Sequence, residues 1–382
     1  MVKQVIIIGG HIQALGLARQ AWLMEIPVVL FIEDAFSVAR FSRSVSKTVV
    51  FESISRLQDS LTPFQDTDSL LFPTADQYVE FLADHYADLS QHFVVGIPQL
   101  ENVYLFGNKR KTYRFATELN VSHPKTWYPD TLEDVERIAK EATYPLVVKP
   151  AVMYTFHRLF GKKAFRCDTE IELLSRCQEI RQKIPVSTIL IQEFLPGGAQ
   201  SLYSFGVFAI EGEPKAWVIA NRIRQNPMDF GNSTTFAVTC HNPEIEEIAR
   251  TILHSTKYTG LAEIEFMYDE STKRFCFLEV NTRAWKWHSI SEGLGFGFMS
   301  ELIKYLNGQK GDFIETGNSI AWVDRLTDYT IIAKETLKGR RFLKKSIESY
   351  RQKKVSAVWS WKDPLPGLFY LALSPVLFFK RY

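Results

Sequence analysis

Cysteine is scarce and unpatterned. Cys167, Cys177, Cys240 and Cys276 form no CxxC pair, so neither a disulfide framework nor a zinc knuckle is implied. None of the eight histidines falls in a metal-ligand spacing such as HExxH, and the chain has no GxSxG elbow. Zinc-dependent hydrolysis and covalent catalysis by a serine or a Cys/His pair therefore lack their sequence signs. Internal repeats and low-complexity tracts are absent too, which argues against solenoids and disordered linkers. The apolar run LPGLFYLALSPVLFF near the C-terminus has 15 residues with Pro375 inside it, against the roughly 20 that a membrane-spanning helix needs. The opening MVKQVIIIGG runs straight into a buried-strand pattern and lacks the length and cleavage site of a signal peptide. A reduced, cytoplasmic setting is expected.

What is present is globular. The 382 residues are 46% hydrophobic and 23% charged, enough for two or three domains with their own cores. The net charge of +2 hides an asymmetry, because Thr330 to Tyr382 hold 12 Lys and Arg against 3 Asp and Glu. A basic tail on an acidic body points to a negatively charged partner, or to the body itself.

The chain opens as strand, helix, strand: KQVIIIGG, IQALGLARQAWLME, PVVLFIED. Two strands separated by one helix make a βαβ unit and predict a parallel, Rossmann-like sheet. Its glycines, Gly9, Gly10 and Gly16, do not spell GxGxxG, since His11 and Ala14 stand where two glycines would be needed. Glu33, after the second strand, is a weak ribose-binding candidate on its own. From Asn108 onward the pattern becomes α+β. KTYRFATELN and TLEDVERIAKEA predict helices, with Thr131 opening the second, and HPKTWYP reads as a turn-rich connector. YPLVVKPA and STILIQEF predict strands, and LYSFGVFAIEG and PKAWVIANRIRQ flank a Glu-Gly-Glu turn. AEIEFMY and KRFCFLEVNTR then form an antiparallel hairpin across the polar turn DEST.

That hairpin carries the chemistry. In FLEVNTR, successive side chains alternate faces, so Glu279, Asn281 and Arg283 line one row. A turn near Asp269 to Thr272 lets Glu265 meet Glu279 across the strands. Two carboxylates and an amide oxygen are the hard ligands Mg²⁺ prefers. Close like charges repel unless a cation bridges them. The bland alternative is a solvated strand face whose acids pair with nearby Lys and Arg. Lys149 ends an otherwise apolar strand, and Lys109, Lys162, Lys163, Arg222 and Arg224 are further anion-binding candidates. Each of them alone is more often solvated surface.

The order of these elements resembles the ATP-grasp superfamily, and more narrowly its carboxylate–amine ligases. The carrying segments are Val148-Lys149-Pro150-Ala151, Gly161-Lys162-Lys163-Ala164-Phe165, QEFLPGG and YTGLAEIEF…LEVNTR, with Arg40-Phe41-Ser42-Arg43 in the first domain. The resemblance covers about residues 1–320. It implies an α/β and α+β fold: a Rossmann-like domain (1–107), a two-lobed ATP-grasp region with its small lobe and lid (108–195) and large lobe (196–325), and a basic tail (326–382). It implies ATP and Mg²⁺ as cofactors, with Mn²⁺ as a substitute. Glu265, Glu279 and Asn281 would be the metal ligands. Lys149 would lie along the α-phosphate, and Lys109 with Lys162 or Lys163 would contact phosphates. The backbone of Glu193, Phe194 and Leu195 would read the adenine edge. Arg283 would hold the acyl-phosphate or substrate carboxylate, and Arg222 or Arg224 would reach the γ-phosphate. Two departures stand out. Val152 to Phe160, where many relatives have a glycine-rich lid, contains no glycine, and the ribose-binding acid is missing, with Gln200 in its neighbourhood.

The activity implied is ATP-dependent amide formation through an acyl-phosphate, on an amino acid or an envelope- or glycan-related substrate. Competing readings are a dinucleotide-dependent oxidoreductase and a non-catalytic Mg-ATP-binding adaptor at a membrane surface. Expected partners are small carboxylate and amine substrates and no nucleic acid, with a homodimer as one assembly. The tail either docks on the body or touches the inner face of the membrane, with Trp359, Trp361 and Tyr370 as interfacial anchors. His288 is a candidate for orienting substrate or a rim residue on a loop.

Overall fold

Five parallel strands open the chain: β1 (Gln4–Ile8), β2 (Val28–Ile32), β3 (Lys47–Val50), β4 (Ser69–Pro73) and β5 (Val94–Val95). Their order is β3-β2-β1-β4-β5, the doubly wound arrangement that the βαβ pattern predicts. VVLFI in β2 is buried throughout, as a strand covered on both faces must be. The order reverses between β1 and β4. There Gly9 takes φ +106°, and a Cβ on it would meet Thr74 Oγ1 at 2.1 Å, so only glycine fits this turn.

The computed structural model describes residues 1–152, 156, 159–228, 231, 233–309, 319–339 and 342–374. Most of the expected lid, Val152 to Phe160, and the end of the apolar run beyond residue 374 lie outside the described residues. The chain divides into two units. One comprises Met1–Val103, Gly198–Glu263 and Asn281–Tyr382, the other Tyr104–Gly197 and Ile264–Val280. Residues 264–280 thus separate from the stretch read as one large lobe, and the tail belongs to the first unit.

The second unit is built on β6 (Thr126–Trp127), β7 (Leu146–Pro150), β8 (Phe165–Cys167) and β9 (Ile189–Glu193), in the order β6-β9-β7-β8. β6 lies in the segment read as a connector. The helices Leu132–Glu141 and Glu170–Arg181 close its core over Leu146, Val148 and Ile191. Thr131 starts the first of them with a capping box completed by Asp134, which satisfies two orphan amides. Cys167 and Cys177 are buried there, and burial pushes their thiols up to about 11 and about 12. They act as small hydrophobes.

In the first unit, β10 (Leu202–Ile210), β11 (Glu213–Asn226) and β12 (Ser233–Cys240) lead into β13 (Gly260–Asp269), β14 (Arg274–Asn281), β15 (Ala321–Val323) and β16 (Lys354–Ser356). The neighbours run β10-β11-β12-β15-β16. β13 starts in the first unit and continues in the second, whereas β14 does the reverse.

β16, inside the tail read as helical, adds parallel to β15. The helices of the described tail are Arg325–Leu337, Leu343–Ser349 and Leu365–Ala372. It docks on the body. Asp363, 2% exposed, accepts from Arg19 Nε at 2.9 Å, Ser42 Oγ at 2.6 Å and the Arg43 amide at 3.0 Å. Phe369 stacks on Phe41 at 3.8 Å between ring centroids. Tyr370 is no interfacial anchor, because it is buried and donates to Asp324. Among the described residues no helix is long and apolar enough to cross a membrane.

A second acid, Asp328, is fully buried and takes Arg224 through both oxygens at 2.8 Å, plus Thr235 Oγ1 at 2.8 Å and Tyr350 OH at 2.7 Å. Removing one partner of such a pair strands a buried charge. Asp328→Ala is expected to lower stability by about 3–5 kcal/mol, read as a reduced urea midpoint.

Candidate functional site

The second unit gathers three lysines around one carboxylate. The helix Lys109–Glu118 begins at Asn108, whose side chain accepts from the amides of Arg110 and Lys111 at 3.0 and 3.3 Å. This N-cap fixes Lys109 as the first helical residue. The Lys109 amide is tied to Ala151 O, just past β7, at 2.9 Å. Tyr113 OH, one turn on, donates to Leu278 O on β14 at 2.7 Å. Those two tethers bring Lys109 Nζ into an ion pair with Glu279. The bland reading of Glu279, pairing with a nearby lysine, is therefore met in this structure, and the lysine it meets is one of the expected phosphate ligands.

Glu279 is held well below the usual carboxylate range, first by Lys109 and then by Lys163 and Lys149. Its side chain keeps 36% of its surface open, so solvent screens part of this pull. Lys149 points from β7 and donates to Gln192 Oε1 at 2.8 Å. Desolvation, aided by the Lys109 charge, lowers it to about 8. The three lysines concentrate positive charge at Glu279, an arrangement that suits a polyanion. Of the two lid lysines, Lys163 acts on Glu279, whereas Lys162 lies over the Phe165 ring at 5.6 Å.

The hinge residues follow directly after. The Glu193 amide donates to Lys125 O at 2.9 Å, and its carboxylate takes the Lys125 amide at 2.9 Å. The Phe194 amide is spent on Pro145 O at 3.1 Å. Two of the three amides in the backbone stretch read as facing the adenine edge are thus engaged in holding β9 in place. Glu265 is half-buried on the same unit's part of β13.

In the first unit, Asn281 Nδ2 donates to Glu263 Oε2 at 3.0 Å. Arg283 is anchored by Asp76, the first residue of the helix Asp76–Asp84, with Nε–Oδ1 at 2.6 Å and a second contact at 3.1 Å. Arg222 is 7% exposed and donates to Gln225 Oε1 at 3.4 Å. Arg224 is committed to Asp328. The two arginines part because β11 shifts register between them, Arg222 pairing with Ala237 and Arg224 with Phe236. A bulge puts them on opposite faces, whereas strict alternation would have given them one. The Gln200 carbonyl accepts from Asn221 Nδ2 at 2.8 Å in a short turn.

His288 is not a rim residue. It is 1% exposed, meets Gln13 O at 3.0 Å, and is lowered to about 4 by burial. Sequence reasoning placed it on a loop because no periodicity marked the turn after Arg283. Glu263 was the reverse case: it shares strand parity with Glu265, and that was the signal to follow.

The acid-base sign at Lys149 is testable. Its folded value lies below the unfolded 10.5, so the protonated form costs stability below about pH 8 and the cost fades as pH rises towards the unfolded value. The ligand-free protein should gain urea resistance between pH 8 and 10 relative to Lys149→Met, in which that increment is missing.

The ATP-binding domain family of the carbamoyl-phosphate synthase L chain matches residues 226–311. D-aspartate ligase of Enterococcus faecium is 23% identical over 274 residues, covering 66% of this chain and 64% of that protein. The carbamoyl phosphate synthase large chain of a Thermoanaerobacter species is 25% identical over 192 residues, 48% of this chain and 17% of the relative. The chain spans less than two thirds of the length of these curated relatives. In structure it superposes on N5-carboxyaminoimidazole synthetase of Staphylococcus aureus with a TM-score of 0.67 at 12% identity, covering 89% of this chain and 86% of the other. The biotin carboxylase domain of Hydrogenobacter thermophilus 2-oxoglutarate carboxylase, solved with MgADP and bicarbonate, gives 0.66 at 15% identity over 84% and 74%. The fold of this chain is that of the ATP-grasp proteins, and its sequence is similar to their carboxylate–amine ligases.

Proposed function

We propose that the chain is an ATP-dependent carboxylate–amine ligase. A substrate carboxylate oxygen attacks the γ-phosphorus and ADP leaves. An amine nitrogen then attacks the acyl carbon of the acyl-phosphate, inorganic phosphate leaves, and the amine loses a proton. The observation that carries this reading is the gathering of Lys109, Lys149 and Lys163 on Glu279. No enzyme nucleophile is required, because such transfers run on positioning and charge neutralisation.

The donor set fits a divalent ion. Glu265 and Glu279 offer carboxylate oxygens, Asn281 an amide oxygen, and Glu279 stays ionised at neutral pH; these are the hard ligands of Mg²⁺. When bound, the ion offsets phosphate charge. Lys109, released from Glu279, and Lys163 would take nucleotide oxygens, and Lys149 would lie along the α-phosphate. Arg222 would reach the γ-phosphate, since Arg224 is engaged elsewhere. The backbone of Glu193 to Leu195 would read the adenine edge, with Leu195 as its N–H donor because the Glu193 and Phe194 amides are engaged. Arg283, held by Asp76, would receive the substrate carboxylate. Any peripheral membrane contact would fall to Trp361, Leu365, Leu368 and Leu371, which are exposed around the last helix.

A screen of amino acids and sugar acids with Mg-ATP and hydroxylamine, which captures acyl-phosphates as hydroxamates, should yield one substrate. Glu279→Gln should reduce that product at least a hundredfold with the fold intact. A chain that binds Mg-ATP yet forms no hydroxamate with any carboxylate would return the reading to a nucleotide-binding adaptor.

A further inference from the structure

Glu263 is buried, 3% exposed, on the strand that carries Glu265. Its two oxygens are divided: Oε2 accepts from Asn281 Nδ2 at 3.0 Å and Oε1 from the Trp287 indole at 2.9 Å. An accepting oxygen can meet only the NH₂ half of an amide. Asn281 must therefore turn its NH₂ towards Glu263 and its Oδ1 away, to the side where Arg283 Nη2 lies at 3.5 Å.

We propose that Glu263, itself held by Trp287, is a positioning residue that fixes the Asn281 amide so that its oxygen faces the metal. The inference rests on the proposed ligase reading, in which Asn281 is a ligand. Arg283 Nη2 favours the same orientation but is a weak donor at 3.5 Å, and an NH₂ group ligates no cation. Outer partners of this kind orient ligands and tune metal affinity.

The arrangement makes an unusual demand on the isosteric variant. Glu263→Gln has one accepting oxygen and one NH₂. The Trp287 indole can only donate, so it takes the oxygen. The new NH₂ then faces Asn281, whose amide turns over to accept it and leaves Nδ2 where Oδ1 had been. Binding of Mn²⁺ to the protein–ADP complex, followed by the electron paramagnetic resonance of free Mn²⁺, should weaken tenfold or more. ADP binding without metal should be unchanged. Adding Asn281→Asp to that variant supplies two oxygens, one for the Gln NH₂ and one for the ion, and should restore Mn²⁺ affinity to within about threefold, on the same outer-partner scale.

E263Q that binds Mn²⁺ like wild type overturns the proposal, as does a double variant as weak as E263Q alone. Loss of metal-free ADP binding in E263Q would assign Glu263 to holding the fold and also overturn it. Wild-type protein that takes up no Mn²⁺ with ADP would instead sink the ligase reading beneath it.

Discussion

One carboxylate among three ammonium groups is the interaction on which the site depends. Desolvation and then the Lys109 charge lower Lys149, and Glu279 offsets only part of that. Lys109 also begins the helix Lys109–Glu118, so the partial positive charge of a helix start adds to that of the lysines. Such a cluster costs stability while it waits. It gains it back when an anion of several charges arrives, which is the sense in which folding and phosphate recognition share one free energy here.

Much of this was legible in the chain. The βαβ opening, the Thr131 start and the β13–β14 hairpin each follow from a short-range pattern: apolar runs ending in glycine, a cap before an acid-rich turn, two alternating strands around DEST. The pairing of Lys109 with Glu279, 170 residues apart, follows from nothing local. It rests on the backbone tie of Lys109 to Ala151 and on the Tyr113 bond to Leu278. Long-range tethers of this kind leave no periodicity to read.

Arg222 and Arg224 show the same limit in a different form. Their spacing of two implies a shared strand face, and both were equal candidates for a phosphate. The register shift in β11 separates them, giving Arg224 to Asp328, Phe236 and Tyr350. A bulge is a change in residue count between two strands, and a single strand's sequence does not record its partner's count.

The tail reverses an argument from charge. Twelve basic residues against three acids after Thr330 suggest a cationic segment drawn to an acidic body. The bond that seats the segment around residue 363 runs the other way: a tail acid, Asp363, is buried against the body's Arg19, with Phe369 on Phe41 supplying apolar contact. Lys338, Lys344, Lys345, Arg351, Lys353 and Lys362 stay exposed. Exposed cations contribute little to docking because water and salt screen them, whereas one desolvated, hydrogen-bonded pair specifies where the segment sits. The tail is therefore held by the charge it has least of, and its positive surface remains available to whatever anion approaches from outside.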